Sequence, residues 1–336
     1  MYKKDVSMQT VADKLGITKV SVSKAINGQP GISEELRKKV LSVCDEMGYV
    51  MQKPKQNQVS HNFCVLMHRR FFIEDEKFYT VILYHLNRLC SNSGYTANFC
   101  IISEGEEFEP SFTNSLKNGA ISGVFLLGEI EPRFVNEILS YRLPIVAIDF
   151  NYIDYRIDHV LIDNYESIQT AMRYLIELGH KNFGFSGSLR HSNNIFDRYM
   201  GYLKSLMQNG FEINDEWHIV ESNYYNSYVS DFYLPEKLPT VFVCHCDKAA
   251  YVLVERLKKI GIKVPEDISV LGFDNTEICV NSDPAITSVN VEKDRLAQAA
   301  FNLMQNRLSN PASEIQRIMI NCELIKREST AAPRAE

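Results

Sequence analysis

The chain has 336 residues, of which 45% are hydrophobic and 23% charged, and its formal net charge at pH 7 is −6. This composition is ordinary for soluble globular proteins, and the length permits more than one compact domain. No apolar run is long enough to cross a bilayer, and the first residues, MYKKDVS, lack the apolar core of a signal peptide. The sequence therefore predicts a cytoplasmic protein without a membrane-spanning segment.

The charge is unevenly distributed along the chain. Residues 1–59 hold ten basic and six acidic residues, a balance of +4, so the remaining residues carry −10. A basic segment on an acidic body is typical of a protein that presents one end to phosphates. On charge alone, ordinary variation explains the asymmetry equally well. The helix pattern of this segment decides between the two interpretations.

A short amphipathic helix is predicted near the N-terminus. Its apolar residues recur at i, i+3, i+4 and i+7, namely Met8, Val11, Ala12 and Leu15. Ser7 stands at the N-cap position, where its hydroxyl can accept from a first-turn amide. Gly16 can take the left-handed conformation that ends a helix. The pattern therefore predicts a helix followed at once by a tight turn.

A second helix is predicted from Lys19 to Asn27, with Thr18 as its N-cap. Its buried stripe is Val22, Ala25 and Ile26, and its outward face is Val20, Ser23, Lys24 and Asn27. The outward side chains are short, polar or cationic, as a helix needs if it is to enter the major groove of DNA. A third helix is predicted after the cap Ser33, and it buries Leu36, Val40, Val43, Cys44 and Met47. Residues 1–50 are therefore predicted to form a helix-turn-helix DNA-binding domain.

Residues 51–61 are polar, cationic and proline-containing, which predicts a linker. Beyond them, strands alternate with helices such as Ser167–Leu178 and Lys248–Ile260. The predicted strands are Phe63–Met67, Thr96–Ile102, Gly123–Leu127 and Ile145–Ile148, then Phe183–Ser186, Val241–Val243 and Ile268–Phe273. These two series predict two α/β lobes with parallel sheets over residues 62–330, and a ligand crevice at the strand ends between them. Residues 331–336 are predicted to be a disordered tail.

Sequence motifs for catalysis and for cofactor binding are absent. The sequence has no G-x-x-x-x-G-K-[ST], no G-x-G-x-x-G after a strand and no G-x-S-x-G. The eight cysteines lack the regular spacing of a disulfide scaffold, so reduced, buried thiols are expected. Cys244, His245 and Cys246 have no second cluster at a zinc-finger spacing. We therefore expect neither an enzyme nor a bound metal or cofactor.

Several segments resemble one protein family, in the order in which that family carries them. The segment GITKVSVSKAING, residues 16–28, resembles the G-V-S-x-x-T-V-S-R-V-L-N-G signature of LacI/GalR transcriptional regulators. Further matches are IELGHKNFGF (176–185), DRYMGY (197–202), PEDISVLGFDN (265–275) and LIKREST (324–330). The resemblance spans nearly the whole chain. It implies a helix-turn-helix head on a periplasmic-binding-protein-like core that senses a small molecule.

The resemblance places Lys19 and Val20 at the positions that choose the operator sequence, and Ser21 and Asn27 at phosphates. Val20 lies opposite the buried stripe, so we expect contact with a thymine methyl, although simple packing is the alternative. Lys24 replaces an arginine that commonly contacts a base, and lysine donates to guanine as a flexible point charge instead of a planar fork. The predicted DNA-contacting set is completed by Ser7, Thr18, Ser23, Lys53 and Lys55. Since two or three base contacts per head discriminate too little, the resemblance implies a homodimer on two half-sites.

The hinge departs from the family pattern. Family members usually follow Gly-Tyr with Pro-Asn and a short helix whose Leu wedges into the minor groove and kinks the DNA. Here residues 50–59 are VMQKPKQNQV, so Pro-Asn and the Ala and Leu of the short helix are missing, and Pro54 falls inside that helix. Lys53 and Lys55 can still lie along phosphates. We predict weak or absent kinking of the operator, and a strong central bend in a DNA-bending assay would contradict this.

For the crevice, we single out Asp149, Arg198 and Asp274. Asp149 follows the predicted strand 145–148 and Asp274 follows 268–273, so both lie at strand ends that border an α/β ligand site. Capping of a helix or turn is the alternative role for each carboxylate. Arg198 matches the ligand-clamping arginine of the family. Carboxylates and a guanidinium can each pair with adjacent hydroxyls, which is what a sugar requires.

Other candidate residues of the crevice carry less specific signals. Phe78 and Tyr79 match an aromatic pair that often lines the family's pocket, although aromatics at helical spacing are as often core residues. Family members usually carry a ligand-binding Asn where this chain has Cys246, a poor hydrogen-bonding group, which weakens the prediction of a sugar of the usual kind. Candidates for the missing polar contacts are Ser192, Asn193 and Asn194, unless they form an ordinary loop.

Together these features predict a sequence-specific, homodimeric repressor of the LacI type. It would bind a pseudo-palindromic operator of double-stranded DNA, with an affinity controlled by a small ligand of the sugar class. A ligand can shift DNA affinity only by binding two conformations differently. A solute-binding protein for transport is the alternative, and the helix-turn-helix pattern argues against it. An enzyme is the third possibility, and turnover of candidate sugars would be its test.

Overall fold

The computed structural model describes residues 7–26, 31–47, 62–73, 77–103, 110–222, 228–229 and 231–334. The chain divides into two compact units, Met1–Ser60 and His61–Glu336. The predicted linker, residues 51–61, lies outside the described residues. Asn27, Lys53 and Lys55 also lie outside them, so their predicted DNA contacts stay predictions.

The described residues of the first unit, which is called the head, form three helices: α1 (Met8–Leu15), α2 (Lys19–Ile26) and α3 (Glu34–Glu46). The Ser7 hydroxyl accepts from the Thr10 amide at 3.2 Å, and Gly16 ends α1 with a φ of 64°. Because other side chains are strained at that angle, glycine suits the turn. The Thr18 hydroxyl then accepts from the Ser21 amide at 3.1 Å and starts α2. The predicted caps and the helix order are confirmed.

The core of the head is small and apolar. Its fully buried side chains are Val11, Ala12, Val22, Ala25, Val40 and Cys44. They come from all three helices, so α2 is held by its apolar face and its opposite face is left to solvent. The predicted stripe of α2 is present, with Ile26 only partly buried at its end.

The second unit begins with β1 (Asn62–His68), α4 (Arg69–Ile73), α5 (Phe78–Asn92), β2 (Thr96–Ile102), α6 (Pro110–Lys117), β3 (Gly123–Leu127), α7 (Pro132–Ser140), β4 (Ile145–Ile148) and β5 (Asp158–Ile162). It continues with α8 (Asn164–Glu177), β6 (Phe183–Ser186), α9 (Asn193–Asn209), β7 (His218–Ile219), β8 (Val241–Cys244), α10 (Asp247–Lys259), β9 (Ser269–Asp274), α11 (Glu277–Asn281) and β10 (Thr287–Asn290). It ends with α12 (Lys293–Ser309), β11 (Arg317–Ile320) and β12 (Glu323–Ile325).

These strands form two six-stranded sheets. The first has the order β11-β5-β4-β3-β1-β2, with every neighbouring pair parallel. The second has the order β12-β10-β9-β8-β6-β7, parallel except for the antiparallel β10–β12 pair. The first lobe is the first sheet with α4–α7 and α12, and the second lobe is the second sheet with α8–α11. Two α/β lobes with parallel sheets are therefore confirmed, with one unpredicted antiparallel edge strand.

The chain passes between the two lobes three times, after β5, after β10 and after β11. β11 lies beside β5 in the first sheet, whereas β12 lies beside β10 in the second. α12 returns to the first lobe and packs against α5 and β4. Three short connections suit a hinge, because few residues have to change conformation when the lobes rotate.

All seven predicted strands are present, but β5, β7, β10, β11 and β12 were not predicted. β5 shows why, since it opens with Asp158, a residue that is rare in strands. The Asp158 side chain is 2% exposed, and both of its oxygens accept from the Arg307 guanidinium at 2.9 Å. Because a buried carboxylate is tolerated when paired in this way, the strand depends on an arginine far along the chain. No local pattern can show that pairing.

The predicted disordered tail is wrong for residues 331–334. The Ala331 amide donates to the Ser269 hydroxyl at 3.0 Å, and the Ala331 carbonyl lies 2.9 Å from a His180 ring nitrogen. Arg334 forms an ion pair with Asp267 at 2.5 Å. These contacts fix the segment on the second lobe. Within the described ranges, no helix combines the length and the apolar character needed to span a bilayer.

Candidate functional site

The outward face of α2 carries the predicted base-reading residues. Lys19 is exposed, and Val20 is 63% exposed. An aliphatic side chain so exposed contributes little to the core of the head, which favours a role in contact with a thymine methyl. The partly exposed side chains beside them are Ser21, Ser23 and Lys24. The hydroxyls of Ser7 and Thr18 already cap helices, so a structural role accounts for both residues.

The carboxyl ends of the parallel strands of both lobes border one crevice, which holds a cavity of about 180 Å³. Sites for drug-sized ligands measure roughly 300–1,000 Å³, so this cavity suits a small molecule. The first lobe lines it with Arg70, Phe71, Phe78, Tyr79 and Asp149. The second lobe lines it with His191, Ser192, Asn194, Ile195, Arg198, Tyr228, His245, Cys246, Asp247, Lys248, Asp274 and Thr276.

Asp149 lies directly after β4 and is 3% exposed. Its carboxylate accepts from the Tyr79 hydroxyl at 2.7 Å and from the Asn194 amide at 3.1 Å. Its carbonyl accepts from the same amide at 2.9 Å. Burial raises the pKa of Asp149 to about 6, although Tyr79, Arg198 and Asn194 oppose the shift. Because Tyr79 belongs to the first lobe and Asn194 to the second, Asp149 joins the lobes beside the cavity.

Arg198 lies in α9 and is 5% exposed. Its Nε atom donates to the Asn164 side chain at 2.8 Å, and one terminal nitrogen donates to the His245 carbonyl. The other terminal nitrogen lies 3.5 Å from the Asp274 carboxylate. The guanidinium also lies over the Phe273 ring, 3.7 Å from its centroid. These contacts fix the orientation of the Arg198 guanidinium. Its remaining N–H groups can still donate to a ligand.

The aspartates at the ends of β4 and β9 have unusual backbone angles. Asp149 has a φ of 63° and Asp274 a φ of 103°, which L-residues rarely adopt. Such strain clusters at ligand sites, where surrounding contacts hold it in place. For Asp274, one such contact is its carbonyl, which accepts from the Lys293 ammonium group. Both carboxylates are thus placed by the backbone at the crevice.

Asp247 borders the cavity but serves the neighbouring loop. Its carboxylate accepts from the Thr276 amide at 2.6 Å and from the Ser288 hydroxyl at 2.5 Å. The Thr276 hydroxyl donates to it as well, at 3.0 Å. These bonds fix the segment that follows β9. Asp247 therefore supports Asp274 by holding the loop that begins directly after it.

Cys246 is the N-cap of α10. Its Sγ atom accepts from the Ala249 amide at 3.4 Å and lies 3.0 Å from the Tyr228 hydroxyl. Burial raises the pKa of the thiol, so the group is neutral near pH 7. The thiol at the position of the family's asparagine is thus engaged in a cap. The stronger hydrogen-bonding groups on this wall belong to Tyr228 and His245.

The structure brings together every predicted crevice residue except Asn193. Asn193 is exposed and does not border the cavity, because consecutive helix residues point in directions about 100° apart. Asn194, the next residue and also a candidate, borders the cavity. Phe78 and Tyr79 are 5% and 7% exposed, so each is both a core residue and a cavity wall. The roles of these residues in ligand binding stay predictions.

Sequence reasoning missed nine cavity residues: Arg70, Phe71, His191, Ile195, Tyr228, His245, Asp247, Lys248 and Thr276. Asp247 follows β8 as Asp149 follows β4, so the signal of a polar residue at a strand end was present for it. Arg70 lies two residues after the end of β1, a place that the prediction did not use, whereas Tyr228 lies outside the named strands. Among the described residues, no group of three or more His, Cys, Asp or Glu side chains is placed to hold a metal ion.

Comparisons with known proteins agree with this architecture. Residues 7–52 match the family described as bacterial regulatory proteins, lacI family, and residues 172–330 match the periplasmic binding protein-like domain. The HTH-type transcriptional repressor PurR of Pectobacterium atrosepticum is 25% identical over 334 residues, which cover 97% of each chain.

Two solved structures share the fold over nearly the whole chain. The transcriptional regulator CelR in complex with cellobiose is 20% identical, with a TM-score of 0.68, covering 96% of this chain and 99% of that one. The lac repressor dimer bound to operator and the anti-inducer ONPF is 17% identical, with a TM-score of 0.67, covering 98% and 100%. The chain therefore carries a helix-turn-helix domain of the lacI family of bacterial regulatory proteins, followed by a periplasmic-binding-protein-like domain.

Proposed function

We propose that this chain is a transcriptional repressor whose affinity for a pseudo-palindromic operator is controlled by a small polyhydroxylated ligand, a sugar or sugar derivative. It acts as a homodimer in the cytoplasm, and it releases its ligand unchanged. The observation that carries the proposal is that both lobes place polar side chains around one cavity. Asp149 comes from the first lobe, and Asn194 and Arg198 come from the second.

The chemistry of the cavity favours a ligand rich in hydroxyls. The carboxylates of Asp149 and Asp274 accept hydrogen bonds, and the Arg198 guanidinium donates them, so a hydroxyl can pair with either. Phe71 and Phe78 supply the apolar surface that ligand sites combine with a few placed polar groups. The cellobiose in the CelR structure is a ligand of this class and supports the proposal.

Contacts between the two lobes provide a means by which a ligand can control DNA binding. Asn194 bonds Asp149 across the crevice, and Lys77 of the first lobe pairs with Glu277 of the second at 2.8 Å. A ligand between the lobes has to share or replace such contacts, so it binds open and closed arrangements differently. That difference is the only source from which a ligand can change operator affinity.

The head provides too few base contacts to select an operator alone. A good bidentate contact gives about 1–3 kcal/mol of discrimination, and the candidates on α2 are the exposed Lys19 and Val20 and the partly exposed Lys24. Two heads on two half-sites double that energy. The name of PurR, a transcriptional repressor, and the lac repressor dimer bound to operator support the same arrangement.

Selection of DNA from a random library by the full-length protein, at stated salt, tests the proposal. We expect a motif with two-fold symmetry, and K19A and V20A should each change its bases. K14A is the matched control, because Lys14 lies in α1 and pairs with Glu46, away from the outward face of α2. Salt-sensitive binding to all sequences, with no motif, would contradict a specific operator.

A further inference from the structure

A buried carboxylate lies directly behind the wall of the crevice. Glu221 has no solvent exposure, and its Oε2 atom accepts from the Ser186 hydroxyl at 2.5 Å. Its Oε1 atom lies 3.3 Å from Nδ1 of His245, a residue that borders the cavity. Among the described residues, Oε1 accepts no hydrogen bond, so its contact with the imidazole is electrostatic. Because a buried carboxylate is costly unless its oxygens are paired, the imidazole is its natural partner.

The surroundings of Nδ1 determine where the imidazole carries its proton. Nδ1 lies 3.3 Å from the Ser186 carbonyl as well as from the Glu221 carboxylate, and both oxygens are acceptors. A ring nitrogen that faces two acceptors carries a hydrogen. Burial lowers the pKa of His245, Glu221 opposes the shift, and Arg198 and His191 add to it. The ring is therefore neutral near pH 7, and its Nε2 atom is left as an acceptor.

The lone pair on Nε2 has one weak partner among the described residues. The Tyr228 hydroxyl lies 3.5 Å away, which is long for a hydrogen bond from a hydroxyl. That hydroxyl has a closer neighbour in the Cys246 Sγ atom, at 3.0 Å. Tyr228 and His245 line the same cavity, with their rings parallel to within 6°. A strong acceptor is thus held at the cavity wall without a strong donor.

We propose that His245 determines ligand specificity, with Nε2 accepting a hydrogen bond from one hydroxyl of the ligand. Glu221 is the positioning residue that holds the ring and its Nδ1 proton. This inference rests on the proposed function and deepens it, since it requires a donating hydroxyl at one position of the ligand. The pair supplies, next to Cys246, the polar contact that a capping thiol does not provide.

The first test needs no ligand. In full-length protein labelled with ¹⁵N in its histidine rings, the nitrogen shifts report the tautomer, and H245A assigns the signal. We expect the Nδ1–H form in the wild type and a mixture of tautomers in E221Q, whose amide can donate as well as accept. H218A is the control, because His218 lies in the same lobe outside the cavity. A wild-type Nε2–H tautomer or an imidazolium at pH 7 would overturn the positioning role.

The second test uses D-glucose, D-ribose and cellobiose as probes, together with monodeoxy forms of those that bind. Removal of one particular hydroxyl should weaken binding to the wild type about tenfold and have little further effect in H245A. In H218A, removal of the same hydroxyl should weaken binding as much as it does in the wild type. If no hydroxyl is coupled to His245, the specificity role is wrong. If none of the probes binds, the ligand class and the hydroxyl contact are contradicted, whereas the tautomer test still decides the role of Glu221.

Discussion

The side chain of Asn194 in the second lobe donates two hydrogen bonds to Asp149 in the first lobe. One reaches the carboxylate at 3.1 Å and the other reaches the main-chain carbonyl at 2.9 Å. Asp149 directly follows β4 and Asn194 lies in the first turn of α9, so the contact links a strand end to a helix start across the crevice. This arrangement of the lobes is therefore stabilised beside the cavity.

Replacement of Asn194 by alanine should weaken this contact between the lobes. N194A removes both bonds and leaves buried acceptors on Asp149 with fewer donors, which costs about 1–3 kcal/mol of unfolding free energy. N193A is the matched control, because Asn193 is exposed and does not border the cavity. Chemical denaturation of both variants measures the effect. Equal losses in the two variants would contradict a role for the crossing contact.

Asp149 should make stability depend on pH in an unusual direction. Its folded pKa of about 6 lies above the ordinary 3.8, so the folded chain holds the proton more tightly than the unfolded chain. The stability from this group is fully present below about pH 4 and is lost as pH rises through 6, by at most about 3 kcal/mol. The melting temperature of the wild type, relative to D149N, should therefore rise as pH falls from 7.5 to 5. A constant or falling difference would show that Asp149 is not the group that titrates.

The ion pair between Lys77 and Glu277 should contribute little and only at low salt. Both side chains are mostly exposed although they connect the two lobes, and exposed pairs are weak and screened. K77E should change ligand affinity less than about threefold at physiological salt, and the exchange K77E with E277K should restore it. Titrations at low and high salt measure this. A large effect that persists at high salt would contradict screening of the pair.

Arg198 should tolerate no replacement, including lysine. Lysine keeps the charge but cannot reach Asn164, the His245 carbonyl and Asp274 together, because it lacks the planar fork. We expect R198K to bind the ligand at least about tenfold more weakly. Lysine either loses a charge-assisted hydrogen bond to the ligand or makes it with poorer geometry. Arg173, an exposed arginine on α8, provides the control R173K. Ligand affinity unchanged in R198K would remove Arg198 from the site.

The sequence predicted those parts of the molecule that depend on local patterns. The three helices of the head follow from spacing and caps, and Asp149 and Asp274 follow from their places after apolar strands. β5 was missed because its Asp158 is neutralised by Arg307. Asn193 was predicted beside Asn194 because a loop-like run does not show which residue turns inward. Glu221 was not predicted for the same physical reason as Asp158, since its partner, His245, lies far along the chain.

The central claim is that a ligand in the crevice controls operator binding, and fluorescence anisotropy of the selected operator tests it most directly. The full-length protein is titrated with and without D-glucose, D-ribose and cellobiose, alongside R198K. We expect at least one sugar to shift the operator Kd by about fivefold or more, within the usual range of allosteric coupling, and R198K to bind operator without that shift. An operator Kd that no sugar changes, or a shift that R198K retains, would contradict the account.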